Sequence, residues 1–440
     1  MKKLVIALLL LTLIASGPAF AAGEAEQATS AQVAGFDWRN YEGEEIRFLA
    51  LKFYYTNLIK EKLPEFEELT GIKVRLEDFP EDQFRQKMVV ELAGGSTTID
   101  AFATGTNFEG RKFYSSGWYE YLDPYLADPN KTGPDFDPDD FIRSVWDAQV
   151  FEGNRVAIPL NAVTWLLFYR KDVYEQAGLE VPQTMDDLVA NAARVHGSDI
   201  YGFAGRGMKT QSVAEFGPFL YAYGGEWLDS QRRPAFNSPA GVRALETYVQ
   251  LMQNYANPGA AENHWYDELA LMQQGETAHI VDTAAWLGVL SDPEKSTVVD
   301  KVGFAHVPTV PGQEAKANLW SWNMAISSLS KKKDPAWLFI QWVTGKDMQL
   351  FIQAKNFPTA RQSAWNSPEF AAVSNQEWLD AVLASFAHAT PMGHPEVVEV
   401  QQIEDVIGTA IVDAILGNKQ PQAALDEAAE EVAGIMARTE

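Results

Sequence analysis

The sequence predicts an α/β protein with mainly parallel sheets, and three observations carry that expectation. Apolar residues alternate at strand spacing, recur at helical spacing and alternate again from Ile46 to Ala103, giving the order β-α-β-α-β. A second block of the same character begins at Ile158. The 440 residues, 46% of them hydrophobic, suffice for two or three domain-sized cores.

Ile46, Phe48 and Ala50 alternate with Arg47 and Leu49 as a strand does. Leu58, Ile59, Leu63, Phe66 and Leu69 then recur at helical steps until Gly71 stops the helix. Ile72, Val74 and Leu76 alternate again. Phe84, Met88 and Leu92 follow at four-residue steps, ended by Gly94 and Gly95, before the apolar strand Ile99 to Ala103. Strands joined by crossover helices bind ligands beyond their carboxyl ends, which singles out the loops Lys52 to Thr56 and Thr104 to Arg111. In the second block Leu166 to Tyr169 read as a buried strand and Lys171 to Gly178 as a short helix closed by glycine. Thr184, with Asp187 three residues on, caps the next helix. Ala240 to Tyr255 and Trp265 to Gln274 are further helices, and Ala278 to Val281 and Val302 to Ala305 are strands. Lys333 to Gln353 and Ala423 to Met436 read as long amphipathic helices.

Composition narrows the chemistry. Without a cysteine there is no disulfide framework, thiolate zinc site, iron–sulfur cluster or cysteine nucleophile. The 60 acidic against 35 basic side chains give a net charge of −25, which argues against nucleic-acid and membrane-surface partners. The longest basic run, Lys331-Lys332-Lys333, reads as a solvated turn before a helix. Lys2 and Lys3, the apolar run Leu4 to Ala15 and the small-x-small pattern Ala19-Phe20-Ala21 predict a signal peptide over 1–21. Residues 22–35 are small and polar and read as a flexible leader. A lipid anchor would need a cysteine after the cleavage site, so a free periplasmic protein is expected.

Eight fragments carry a family resemblance. They are Phe66-Glu-Glu-Leu-Thr-Gly-Ile-Lys-Val74; Ser116-Gly-Trp-Tyr-Glu-Tyr-Leu-Asp123; Ala157-Ile-Pro159 with Leu167-Phe-Tyr-Arg-Lys-Asp172; Ala177-Gly-Leu-Glu-Val-Pro-Gln-Thr184; Tyr223-Gly-Gly225; Phe236-Asn-Ser-Pro239; Trp322-Asn-Met-Ala-Ile326; and Phe357-Pro-Thr-Ala-Arg361. In this order, behind a signal peptide, they resemble the extracellular solute-binding proteins of carbohydrate ABC transporters across nearly all of the mature chain. Val302-Gly-Phe-Ala305, Trp320 with Trp322, and Pro368-Glu-Phe370 are most similar to the polyol and monosaccharide binders. The resemblance implies a two-lobed periplasmic binding protein fold of the class II type, each lobe a mostly parallel sheet flanked by helices. Lobe 1 would hold 36–160 plus 320–355 and lobe 2 would hold 161–319 plus 356–440, with hinge crossings near Asn161, Asn318 and Asn356. It also implies a monomer without cofactor or metal that closes on a small carbohydrate and delivers it to a permease driven by separate ATPase subunits.

Carbohydrate chemistry supplies the candidate residues. A sugar or polyol presents C–H faces and hydroxyls, so its cleft needs aromatic platforms and fixed donors and acceptors. Among thirteen tryptophans, Trp165, Trp286, Trp320 and Trp322 fall at crossings or strand ends and are platform candidates. Trp118, Trp337, Trp342 and Trp378 sit in helical patterns and are left to the core. Arg206, flanked by Gly205 and Gly207, is the leading polar candidate, able to grip vicinal hydroxyls or a carboxylate. Asp282 ends a strand and either accepts from hydroxyls or caps the next helix. Asn107 and Glu109 lie on the loop after the third strand, Lys52 and Tyr54 close the first, and Phe357 and Arg361 follow the third crossing, where Arg361 equally suits an interlobe salt bridge.

Two other classes stay open. A glycosidase needs two carboxylates facing across the cleft, a pair that Glu109 and Asp282 could mimic. A binder of acidic sugars, oligosaccharides or other carboxylates would put Arg206 and Arg361 on the ligand's charge. His264 with Glu262 and Asp267 matches no standard metal spacing. Gly105 and Gly110 have a phosphate loop's spacing, but Arg111 and Lys112 follow instead of Lys-Ser or Lys-Thr.

Overall fold

The structure, a computed structural model, describes residues 35–314, 316–390, 395 and 397–439. The expected signal peptide, and the expected leader apart from Gly35, lie outside the described residues. The chain opens with β1 (Glu45–Leu51), α1 (Tyr54–Thr70), β2 (Lys73–Phe79), α2 (Glu81–Ala93), β3 (Ala101–Thr104) and α3 (Thr106–Ser115). Strands β4 (Ile158–Pro159) and β5 (Trp165–Arg170) lead to helices α4 (Lys209–Ala222), α5 (Pro239–Tyr255) and α6 (Trp265–Gln274). Strands β6 (His279–Thr283), β7 (Val302–Ala305) and β8 (Asn323–Ile326) follow. Helices α7 (Lys333–Val343), α8 (Lys346–Gln353), α9 (Gln376–Phe386), α10 (Val400–Ile415) and α11 (Pro421–Thr439) complete the chain.

The local signals act where the sequence puts them. Gly71 takes φ 72° and its N–H closes α1 on the Glu67 carbonyl. Thr184 and Asp187 form a reciprocal capping box. The expected single helix from Lys333 to Gln353 is instead two, α7 and α8, because Gly345 is extended (ψ 162°) and starts a new helix. Helix α10 is not among the expected elements, although Val400, Ile403, Ile407 and Ile411 recur at helical steps and are all buried.

Two sheets organise the two lobes. The first has the order β2-β1-β3-β8-β4, with β1 parallel to β2 and β3, and β8 antiparallel to β3 and β4. The second has the order β6-β5-β7, with β5 antiparallel to both neighbours. β6 and β7 therefore run the same way, and Tyr201 bridges to Thr277 in parallel beside β6. Each sheet thus has one reversed strand. The reason is topological: β5 and β8 enter from the opposite lobe and begin at the cleft, whereas crossover strands end there.

The junction is a two-stranded ribbon. Val163 and Trp320 exchange backbone hydrogen bonds at 2.9 Å each way, and the Leu160 N–H donates to the Trp322 carbonyl at 2.9 Å. The Asn161 Oδ1 accepts from the Trp322 N–H at 2.6 Å, and Asn161 also bridges to Thr359. Among the described residues no helix is long and apolar enough to cross a membrane.

Candidate ligand-binding site

A cavity of about 360 Å³ lies between the sheets, where β1, β3 and β6 end and β5 and β8 begin. That volume suits a small molecule. The junction ribbon contributes Asn161, Val163, Trp320 and Trp322, and Trp165 opens β5. Helix α2 supplies Glu81 and Arg85, and α3 supplies Phe108. The second lobe supplies Arg206, Gln211, Trp265, Thr283 and Trp286, and α10 closes one side with Gln401 and Glu404.

Five indoles, Trp165, Trp265, Trp286, Trp320 and Trp322, face this space. Trp320 and Trp322 meet edge to face at 5.8 Å and 74°. Trp320 reaches its place because residue 105 is glycine: a Cβ there would lie 2.7 Å from the indole. Three donors of residues that line the cavity, Trp165 Nε1, Trp286 Nε1 and Asn161 Nδ2, are buried with no acceptor among the described residues. Buried donors are costly unless bonded, so this wall calls for a ligand that brings acceptors.

Each lobe presents one guanidinium, and each is already held by carboxylates. Arg85 donates to Glu81 from Nη2 at 2.9 Å and Nε at 3.1 Å, and from Nη1 to Glu109. Its faces lie over Phe108 at 4.3 Å and Trp322 at 5.0 Å. Glu109 is fixed in turn by the Gly105 N–H at 2.7 Å and the Thr104 hydroxyl at 2.9 Å. Burial works against the Arg85 charge, but Glu109 and Glu81 outweigh it and hold its pKa above the usual value.

Arg206 donates from Nε to Asp282 at 2.6 Å and from Nη2 at 2.5 Å, with Glu268 at 3.1 Å. Its own backbone N–H donates to Glu215, which also accepts from Tyr248 at 2.9 Å. Burial, then the Asp282 charge, pushes the Glu215 carboxyl up to about 8. Burial, with Glu215 and Asp282 adding to it, also raises Glu268. Three acids around one guanidinium are compatible only when protons are shared among them.

Of the residues expected from sequence, Trp165, Arg206, Trp286, Trp320 and Trp322 line the cavity. Arg206 arrives with its fork already occupied by Asp282, which corrects the expectation of an open fork. Glu109 and Asp282 stand behind the wall, fully engaged with Arg85 and Arg206, so they do not oppose one another across the cleft as a glycosidase pair would. Asn107 donates to the Leu319 carbonyl at 3.2 Å beside the ribbon. Tyr54 and Phe357 pack together, 6.3 Å between centroids, away from the cavity wall.

Arg361 is a structural staple rather than a cavity residue. It is fully buried and donates to the carbonyls of Thr344 (2.6 Å), Phe136 (2.6 Å) and Asp137 (3.0 Å) and to Asp140 (3.2 Å). His264 caps α6, its N–H donating to Asp267 at 2.8 Å.

The sequence reading missed Glu81, Arg85, Phe53, Trp265, Gln401 and Glu404. A signal existed for the first two. Helix α2 follows the carboxyl end of β2 directly, so its first turns must meet the cleft, as the loops after β1 and β3 do.

Comparisons with known proteins agree with this geometry. The family described as bacterial extracellular solute-binding protein matches residues 54–350. An erythritol/L-threitol-binding protein of Mycolicibacterium smegmatis is 30% identical over 346 residues, covering 73% of this chain and 71% of that one. A mannitol-binding protein of Pseudomonas aeruginosa is 28% identical over 381 residues, covering 81% and 85%. The crystal structure of an ABC transporter solute-binding protein from Agrobacterium radiobacter K84 in complex with ribitol aligns with a TM-score of 0.83 at 27% identity, covering 90% of this chain and 99% of that one. That solved structure shares the two-lobed architecture seen here.

Proposed function

Because the chain belongs to the bacterial extracellular solute-binding protein family, we propose that its cavity captures a small neutral polyol or monosaccharide. The closed, loaded form then delivers that ligand to an ABC permease whose ATP is hydrolysed on separate subunits. Proteins of this family are transport receptors and not enzymes. In this reading the protein works as a monomer in the periplasm, exported by the segment 1–21, with no nucleic-acid partner.

One observation carries the ligand class. Trp165 Nε1, Trp286 Nε1 and Asn161 Nδ2 are buried donors without acceptors among the described residues, and their side chains stand among the indoles that line the cavity. Hydroxyl oxygens answer the donors, and the C–H faces of a polyol answer the indoles. The relatives named for erythritol, threitol and mannitol, and the neighbour holding ribitol, support the same class. An acidic ligand is disfavoured because Arg85 and Arg206 each already face carboxylates, leaving neither free to neutralise another anion.

A thermal-shift panel of alditols, hexoses, disaccharides and uronates tests this reading. A ligand at a hundred times its Kd adds about 2.7 kcal/mol to the folded state, so the true class raises the melting temperature by degrees. A shift from uronates alone would overturn the neutral-ligand assignment.

A further inference from the structure

The ribbon that joins the lobes carries one extra residue on one of its strands. Pro159 of β4 pairs with Asn323 of β8, and Val163 pairs with Trp320, so four steps along the first strand face three along the second. The surplus falls at Asn161. The Leu160 and Asn161 N–H groups both donate to the Trp322 carbonyl, at 2.9 and 3.4 Å, which is the pattern of a β-bulge. The Trp322 N–H donates to the Asn161 Oδ1 at 2.6 Å, so a side chain holds the strands together where the ladder is interrupted. Asn161 also bridges to Thr359, on the segment that runs from α8 to α9, and this one residue therefore touches all three connections at the junction.

The other end of the amide is open. The Trp322 N–H can meet only an oxygen, which orients the amide and leaves Nδ2 as the second terminus. Asn161 is 1% exposed and lines the cavity, and Nδ2 has no acceptor among the described residues. The lobes are in contact in this conformation, with Trp265 donating to Glu81 at 2.9 Å. A buried donor without an acceptor disfavours that conformation when the cavity is empty, whereas water serves the donor in an opened cleft. A ligand hydroxyl that accepts from Nδ2 removes the penalty in the closed form alone. That is the differential affinity which closure by a ligand requires.

Resting on the proposed function above, we propose that Asn161 couples ligand capture to lobe closure: one ligand hydroxyl accepts from Nδ2 and thereby holds Oδ1 on the bulge, so the ribbon keeps its closed bend only over a filled site. Asn161 is then a positioning residue for the junction as well as a ligand contact, and the coupling belongs to one hydroxyl of the ligand.

Titration calorimetry of the best-bound alditol and its monodeoxy analogues, on the wild type and Asn161→Ala, tests this, with small-angle scattering as the readout of closure. Losing the hydroxyl that meets Nδ2 weakens wild-type binding about 3- to 10-fold, the value of one hydrogen bond, and leaves the saturated protein partly open. The same analogue loses less than about twofold in Asn161→Ala, because its partner is already gone, and this variant stays partly open even when saturated with the parent alditol. An amide with a structural role alone would lower stability and every affinity alike. Equal deoxygenation losses in both proteins at every position, or a fully closed saturated variant, would therefore overturn the coupling. Should the variant not fold, the wild type decides: its Asn161 side-chain N–H resonances shift on binding the alditol but not on binding one of the monodeoxy analogues, and resonances that stay in place throughout overturn it. A wild type that binds no alditol fails the parent reading and the coupling with it, whereas one that binds alditols with additive losses fails the coupling alone.

Discussion

Arg206 and Asp282 meet as a two-pronged pair, Nε to Oδ2 at 2.6 Å and Nη2 to Oδ1 at 2.5 Å, with Asp282 wholly buried. The pair links the segment after Gly205 to the end of β6 and so fixes one wall of the cavity. Removing Asp282 strips two charge-assisted hydrogen bonds and leaves the guanidinium to Glu268, which costs about 1.5–3 kcal/mol. Asp282→Ala therefore lowers the urea midpoint by that equivalent. A loss under about 1 kcal/mol would show the pair to be solvated in practice.

Glu215 makes stability depend on pH. Its folded-state pKa of about 8 stands above the ordinary 4.5, so the folded chain holds a proton that the unfolded chain releases. The stabilisation is full below about 4.5 and is lost as pH rises to about 8. His279, lowered by burial to about 4 from 6.5, acts oppositely between those values, so the window above pH 6.5 isolates the acids. Glu268, also raised, contributes in the same direction. Unfolding free energy falls from pH 6.5 to 8 by up to about 1.4 kcal/mol per unit for each released proton, and Glu215→Gln flattens the slope. An equal slope in the variant would place the proton elsewhere.

Trp165→Phe and Trp286→Phe remove the donors and keep most of the aromatic surface. Each N–H lacks an acceptor among the described residues, so stability falls only by the packing lost when a buried indole becomes a smaller ring. Ligand affinity falls about 3- to 10-fold per variant, the net value of one hydrogen bond. A loss of stability with unchanged affinity would make these indoles core residues.

Trp265 on α6 donates to Glu81 on α2 at 2.9 Å and meets Phe53 edge to face at 5.2 Å, so these contacts close the second lobe on the first. Trp265→Phe favours the open form and speeds ligand release about tenfold, read by stopped-flow fluorescence. Unaltered release would leave closure to other contacts.

The β-α-β-α-β opening of the first lobe was legible because each element there has a clean period and a glycine or capping stop, as at Gly71 and Gly95. The five cavity residues found from sequence sit at strand ends or on the ribbon, where topology alone places them. Arg85 was hidden because it adjoins the core residue Phe84 on a helix whose first turns point into the cleft. Glu404 was hidden because its neighbours in space, on α2, α3 and α4, are distant in sequence, and no local pattern encodes that meeting. Arg361 misled because its position after a crossing suits a ligand contact, whereas carbonyl oxygens of Phe136, Asp137 and Thr344 claim its donors.

The indole N–H groups of Trp165 and Trp286 test the central claim most directly. In a nitrogen-15 NMR titration with the best-bound alditol, these two resonances, assigned through their phenylalanine variants, should move downfield more than those of Trp337 and Trp378, which already donate to Thr132 and Ala284. A bound alditol that leaves both resonances in place would contradict a cavity built to answer ligand hydroxyls.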